Sequence, residues 1–386
     1  LLQQDKKYFI SKSKGAATGP FAFFRGCLRT NVNPKWYADK ITSYQILSSK
    51  FNREAVYNKC FVAPVFRCRI LDSHLFLNNL LIPLSLTTSD KTLVIVTGPT
   101  GSGKTGLAIE IASHLGCDIV SADSRQIYRG IPIGTAAPTQ EQLAAVRHHF
   151  VGILDLDQYY SAAVYEEQVM NLLPQLWEKG DYVVMCGGSM MYIDAITRGI
   201  DELPTISDAI RARAMEIYTC GGLAALREEL QRLDPDYLAT ADLNNHRRLV
   251  HAIEICLQAG VPYSSLRTGE AKERPFRIVK MAINHSRENL FNRINARVDA
   301  MIVEGLEQEA AAVYHLRHLN SLNTVGYKEL FAMMDGTMTR ETAIPRIAKN
   351  TRVYAKKQLL WLRRDPSVTY LDPSHPLLSQ ALGAIG

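Results

Sequence analysis

The chain has 386 residues, 47% hydrophobic and 21% charged, enough for two or three cored domains and too apolar for wholesale disorder. Its longest weakly polar run, Leu80 to Leu86, falls far short of the roughly 18 apolar residues of a membrane span, and seven cysteines without a CxxC pair fit thiols in a reducing compartment better than a disulfide framework or a zinc site. The net charge of +6 divides unevenly. Residues 1–90 carry 13 Lys and Arg against 5 Asp and Glu, and residues 91–386 carry 31 against 33, so polyanion binding by the main body must come from local clusters.

Residue 90 is also a compositional break. Eight of the twelve Phe precede it, the first Met in the chain is Met170, and neither strand nor helix periodicity is sustained through residues 1–90. A transit peptide fits the basic, acid-poor stretch up to Lys35. An accessory domain is a second reading, and upstream sequence translated from a non-AUG start is the favoured third. Residues 1–90 are accordingly expected to be an extension, disordered or not genuine, that takes no part in the fold.

From Lys91 the pattern becomes regular. Thr92 to Thr97 is a β-branched apolar run that predicts a buried parallel strand, and it leads through a glycine loop into the helical stretch Gly106 to Gly116. Cys117 to Ala122 predicts the next strand, Tyr165 to Glu178 a helix, and Tyr182 to Cys186 a third strand ahead of Gly187 and Gly188. After Pro204 the strands give way to helical patterns until Arg277 to Ile283, another strand, and Asn289 to Leu319 and Pro345 to Arg364 predict long helices. The expected fold is α/β. A P-loop-containing parallel sheet core begins over 91–203, an all-helical insertion occupies 204–274, a return strand and C-terminal helices over 275–372 complete the core, and 373–386 is a tail.

Gly98, Pro99, Thr100, Gly101, Ser102, Gly103, Lys104 and Thr105 fit G-x-x-x-x-G-K-[ST] between an apolar strand and a helix. Backbone amides of such a loop converge on phosphate oxygens, Lys104 neutralises a terminal phosphate, and Thr105 is the expected ligand of a magnesium cofactor. A motor-type or GTP-switch protein would end a neighbouring strand in Asp, yet Tyr182 to Met185 runs into Cys186, Gly187 and Gly188, and no Asn-Lys-x-Asp motif occurs. The nucleotide-hydrolase reading weakens accordingly. Asp123 and Ser124 end the second strand, beside the loop. By position alone Asp123 is a magnesium ligand, a general base or a helix cap.

With these residues the chain resembles the tRNA dimethylallyltransferase (tRNA isopentenyltransferase) family. The matching stretches, in family order, are GPTGSGKT at 98, DSRQIY at 123, GT at 134, GGSMMY at 187, NHRRLVHAIEI at 245, NRINARVDAMIVEGLEQE at 292, GYKEL at 326 and RVYAKKQLLWLRR at 352. The resemblance implies transfer of a dimethylallyl group from dimethylallyl diphosphate to the exocyclic amine of the adenosine 3′-adjacent to the anticodon of tRNA, by a cytoplasmic monomer without a membrane partner. It makes Asp123 the general base and places Ser124, Arg125 and Gln126 on the tRNA, with Ser124 and Gln126 at the target base. Ser189 bonds the departing diphosphate and Arg293 is a second diphosphate contact. The family's tRNA contacts in the insertion map onto Arg247, Arg248, Leu249, Val250 and His251, the last standing where many members have Arg.

A basic stripe in the final predicted helix, Arg346, Lys349, Arg352, Lys356 and Arg363, lies opposite Ile347, Tyr354 and Trp361. Arg352 and Lys356 are expected to hold tRNA phosphates. An adenylate isopentenyltransferase would need neither the insertion nor this helix, a P-loop small-molecule kinase would be protected by ATP rather than by the prenyl donor, and a non-catalytic tRNA-binding module would not need Lys104, Thr105, Asp123 and Ser189 together.

Overall fold

The computed structural model describes residues 91–386, so the expectations for residues 1–90 lie outside the described residues. Six strands form one parallel sheet: Thr92–Thr97 (β1), Ile119–Ser121 (β2), His148–His149 (β3), Tyr182–Gly187 (β4), Arg277–Ile283 (β5) and Val368–Leu371 (β6), in the spatial order β3-β2-β4-β1-β5-β6. All six residues of β1 are buried, as expected of an apolar strand covered on both faces.

The two-residue strand period divides β1 between two cores. Val94 and Val96 pack with Leu107 and Ile111 of helix Lys104–Leu115 (α1). Leu93 and Ile95 pack on the other face with Tyr165, Val169 and Leu173 of helix Ala162–Leu176 (α2) and Ile193 and Ile196 of helix Met190–Arg198 (α3). Each such buried aliphatic side chain contributes about 1.5–3 kcal/mol.

The insertion follows α3. Helix Asp208–Leu233 (α4) is interrupted at Gly222, whose φ of 61° and ψ of −150° break the helical path, and it packs against helix His246–Ala259 (α5) around Ala214, Leu226, Leu230, Leu249 and Ile253. Both chain crossings into this unit meet Glu166 of α2. Its carboxylate accepts the Ile200 N–H at 3.0 Å and the Arg274 guanidinium at 2.6 Å, while Arg274 also donates to the carbonyls of Ala195 and Ile196.

The C-terminal part differs from the sequence expectation in three ways. The single helix expected over 289–319 is two, Arg287–Glu304 (α6) and Leu306–Val313 (α7), because Gly305 at φ 104° caps the first and turns the chain. After Tyr327–Met334 (α8), helix Arg340–Leu362 (α9) starts five residues earlier than expected and runs through Pro345. The 373–386 segment is no tail: it contains helix Leu377–Ile385 (α10), whose Ala381 and Ile385 are buried in the core beneath α1 and β1. Its apolar residues recur every four positions, the signature of a helix face.

Gly187, at the end of β4, is required by close approach. A Cβ there would stand 2.1 Å from the Ala122 carbonyl oxygen, part of a backbone that has nowhere to move. Gly187→Ala should therefore lower stability by about 2 kcal/mol or more. Gly106→Ala, with nothing within 4 Å of the new methyl, should be neutral or gain up to about 1 kcal/mol. Urea unfolding of the two variants measures the contrast.

Candidate active site

β1 ends at Thr97 and the phosphate loop follows. Gly103, at φ 90°, is the left-handed cap from which α1 begins. Side chains from far along the chain hold this loop from outside. Arg293 donates to the Gly101 carbonyl at 2.8 Å, His285 bonds the Ser102 carbonyl at 2.8 Å, and Gln358 accepts the Thr100 N–H at 2.9 Å. Among the described residues the Lys104 ammonium makes only a long contact, 3.4 Å, to the Pro99 carbonyl. Burial pulls its pKa below the ordinary lysine value, Cys186 and Asp123 oppose that, and Arg297 adds to it. Burial also pushes the Cys186 thiol up to about 11, leaving it neutral at physiological pH. Arg297 is itself lowered by burial.

Of the roles left open by its position, Asp123 fills the cap, while its carboxylate also lines a cavity. Its Oδ1 accepts the N–H groups of Arg125 at 2.9 Å and Gln126 at 3.3 Å, which caps the turn. Among the described residues nothing donates to Oδ2. Ser189, buried at the end of β4, accepts the Ser124 N–H at 2.8 Å and donates to the Ser124 hydroxyl at 3.1 Å. The hydroxyl expected on a departing diphosphate thus ties the two strand ends together.

Gln126 is oriented from behind. Its Nε2 donates to the carbonyls of Thr135 and Ala136 at 3.1 and 2.9 Å, and the turn that carries those carbonyls hangs from Glu309, which accepts the N–H groups of Ile133 and Gly134, both at 2.8 Å, and the Tyr327 hydroxyl. Arg125 donates to the carbonyls of Asn320 and Ser321.

These groups enclose a cavity of about 350 Å³ lined by Lys104, Thr105, Asp123, Ser124, Gln126, Ser189, Arg297, Tyr354 and Gln358 among others. A second recess of about 470 Å³ lies against the outside of the loop, bordered by Gly101, Gly103 and Arg293. Lys104, Thr105 and Arg297 border both. The loop is therefore flanked by a recess on each side.

The comparisons with known proteins agree with this geometry. The family described as IPP transferase matches residues 126–365. The chain is 52% identical over 281 residues to tRNA dimethylallyltransferase 2 of Parabacteroides distasonis, covering 73% of this chain and 94% of that one. This chain belongs to the IPP transferase family. The full-length tRNA isopentenylpyrophosphate transferase of Bacillus halodurans superimposes with a TM-score of 0.56 at 32% identity, over 76% of this chain and 94% of the other. A eukaryotic dimethylallyltransferase described as acting on tRNA shares the fold, with a TM-score of 0.66 at 23% identity over 76% and 77% of the two chains.

Of the IPP transferase motifs, Thr100, Lys104 and Thr105 of the phosphate loop, Asp123 to Gln126 and Ser189 line the cavity, Gly101, Gly103 and Arg293 border the recess, and Gly98, Pro99 and Ser102 line neither. The RNA-facing residues expected on α5 and α9 do not line the cavity. On α5, Arg247, Arg248 and His251 are exposed, but Leu249 and Val250 are buried in the insertion's own core. Their side chains are corrected from RNA contacts to packing, because they lie on the helix face turned to α4. On α9, Lys349 and Lys356 are exposed, whereas Arg352 is half-buried, donates to Asn295 and lies over the Phe291 ring. The inward stripe of α9 is Ala343, Ile347, Ala355, Gln358 and Leu362. Tyr354, expected inside, is 39% exposed and lines the cavity. Trp361 is half-buried and donates to Asp194 at 2.9 Å.

Three side chains of the site escaped sequence reasoning. Arg297 carries a faint signal, one helical turn after Arg293 on α6. Gln358 is the polar member of a buried stripe. Glu309 closes the matching stretch that begins at Asn292, but nothing local marks it as the acceptor for the turn at Ile133 and Gly134. Glu309→Ala would leave the Ile133 and Gly134 N–H groups without their acceptor and the Tyr327 hydroxyl with only the longer bond to the Ile131 carbonyl, so it should cost about 2 kcal/mol or more in stability, read as a lower urea midpoint.

Proposed function

We propose that this chain transfers a dimethylallyl group from dimethylallyl diphosphate to the exocyclic amine of the adenosine 3′-adjacent to the anticodon of tRNA, releasing diphosphate. The observation that carries this reading is that the Asp123 carboxylate shares one cavity with Lys104 and Thr105 of the phosphate loop. The amine nitrogen attacks the donor's first carbon as the carbon–oxygen bond breaks. Asp123 takes the N–H proton, and the electron pair leaves with the diphosphate. That amine is a weak nucleophile because its lone pair is delocalised into the ring, so a base is needed where the bond forms. The leaving group gains charge as it departs, and Lys104, Arg297 and the loop amides are placed to stabilise it.

Magnesium fits this donor set only through the substrate. Among the described residues no group of three or more acidic, His or Cys side chains converges on a metal, while Thr105 lines the cavity. An ion held by Thr105 and donor phosphates would neutralise phosphate charge, the usual arrangement for this metal. β4 lies directly beside β1 and ends in glycine, which supports diphosphate rather than nucleotide hydrolysis at this loop. Action in the cytoplasm accords with the free thiols at Cys117, Cys186, Cys220 and Cys256 among the described residues, and the reading takes the chain as a monomer.

The acceptor base must leave the stacked anticodon loop to reach Asp123, as enzymes acting on base atoms require. Phosphate contacts would come from Arg247, Arg248 and His251 on α5 and from the basic face of α9, including Arg352 and Lys356, fixing the tRNA without reading its sequence.

Asp123→Asn tests the chemical step. The amide oxygen can still cap the turn, so folding and tRNA binding should survive. Single-turnover transfer with saturating donor should fall by about two to four orders of magnitude and should not recover at higher magnesium. Near-parental transfer would make Asp123 only a cap, and recovery with metal would make it a ligand.

The salt dependence of tRNA binding tests the basic face. Because Arg352 also packs on Phe291, the exposed Lys349 and Lys356 give the cleaner pair. Replacing both with Ala should flatten the dependence of log affinity on log salt by roughly one unit for each phosphate deprived of its cation, and leave donor affinity unchanged. An unaltered slope would assign this face to solvent.

A further inference from the structure

The inward stripe of α9 is apolar except for Gln358, which is 3% exposed. A primary amide is tolerated in such a place when both of its ends are hydrogen-bonded. Both ends are. Oε1 accepts the Thr100 N–H at 2.9 Å, and Nε2 donates to the Gly188 carbonyl at 2.8 Å. Thr100 belongs to the phosphate loop after β1, and Gly188 to the turn after β4. One side chain from the far end of the chain thus spans the two turns that border the cavity.

The surroundings are built for this amide. A Cβ at residue 188 would stand 2.4 Å from the Gln358 Nε2, so the second glycine of the pair is what lets the amide approach. Immediately after it, Ser189 accepts the Ser124 N–H, and Ser124 adjoins Asp123. The path from Thr100 through Gln358, Gly188 and Ser189 to Asp123 therefore connects the group that holds phosphate to the carboxylate that serves the acceptor. The helix itself does not depend on Gln358, since Trp361 anchors the next turn to Asp194 and Ala355 and Leu362 are buried on either side.

We infer that Gln358 is a positioning residue that sets the spacing between the phosphate loop and the Gly188–Ser189 turn, and so between the diphosphate and Asp123. It touches neither reacting atom. The transfer part of this inference rests on the proposed function, whereas the grip on phosphate does not. Reacting groups must meet within about 3–3.5 Å, and a misplacement of about 1 Å can cost about 10²-fold in rate.

Two variants and two readouts test it in the full chain. Gln358→Met keeps the volume and removes both hydrogen bonds. It should bind inorganic pyrophosphate with magnesium roughly tenfold more weakly and transfer the prenyl group about 10²-fold more slowly at saturating substrates, with tRNA affinity within about twofold of the parent. Gln358→Glu keeps the acceptor for Thr100, but when ionised turns a second negative oxygen toward the Gly188 carbonyl. When protonated it can donate there again, so its defect should shrink as pH falls. Lys104, Asp123, Arg125, Arg297, Lys328 and Tyr354 line the same cavity and titrate or carry charge in both proteins. The variant-to-parent ratio at each pH cancels their shared contribution.

Parental pyrophosphate affinity and transfer in both variants would overturn the inference. So would a loss of tRNA affinity as large as the loss of transfer, which would make Gln358 a general packing residue. If Gln358→Met does not fold, the pH trend of Gln358→Glu decides alone, and a flat ratio overturns the inference. A parent that binds pyrophosphate but transfers nothing would overturn the proposed reaction and leave the pyrophosphate comparison to judge Gln358.

Discussion

The parallel register of β2, β4 and β1 assembles this site. Thr97 pairs with Gly187 and Ser121 with Cys186, so three strands end at one height and each delivers its motif to the same edge. In a parallel sheet every carboxyl end points the same way, and groups distant in sequence meet there without any loop having to reach. The ladder continues past the strands, because Ala122 donates to the Cys186 carbonyl and Ser189 to the Ala122 carbonyl. Gly187 has no room for a side chain for the same reason. The catalytic edge and the strand pairing are one structure, and loosening either loosens both.

The charge at that edge follows from what surrounds it. Lys104 and Arg297 are both held below their ordinary pKa values by burial, with Asp123 acting against the shift in each case. Two desolvated cations thus border one cavity, where an anionic ligand would offset their charge. The exposed cations of α5 and α9 stand in water, where their attraction is screened over about 8 Å at physiological salt, unlike that of the buried pair. The insertion that carries α5 is tied to the core at Glu166, where both chain crossings converge.

The support of the site comes from the C-terminal third of the chain. Arg293, His285 and Gln358 hold the phosphate loop, and Glu309 with Tyr327 holds the turn behind Gln126. None of these side chains occurs near the loop in sequence. They arrive because β5 returns the chain to the sheet beside β1, after which α6 and α9 cross the carboxyl edge.

Local order was enough to recognise β1, the phosphate loop, α1, β4 and β5, because strand period, helix period and glycine spacing are properties of consecutive residues. The same holds for the motif at Asp123 and for the helical patterns after Pro204. The sequence left three roles open for Asp123, and only the folded chain shows one carboxylate oxygen capping the turn while the group also lines the cavity. β3 was illegible because its two histidines carry no apolar signal and become a strand only by pairing with β2. The division at Gly305 and the packing of α10 were legible in principle, through a glycine and a four-residue apolar spacing. Which face of α9 turns inward was not, because its basic stripe, its cavity tyrosine and its buried glutamine differ in role only through what lies opposite them. Arg297, Glu309 and Gln358 belong to the site on the same ground: a hydrogen bond or a shared cavity between residues far apart in sequence exists only once the sheet has brought their elements together.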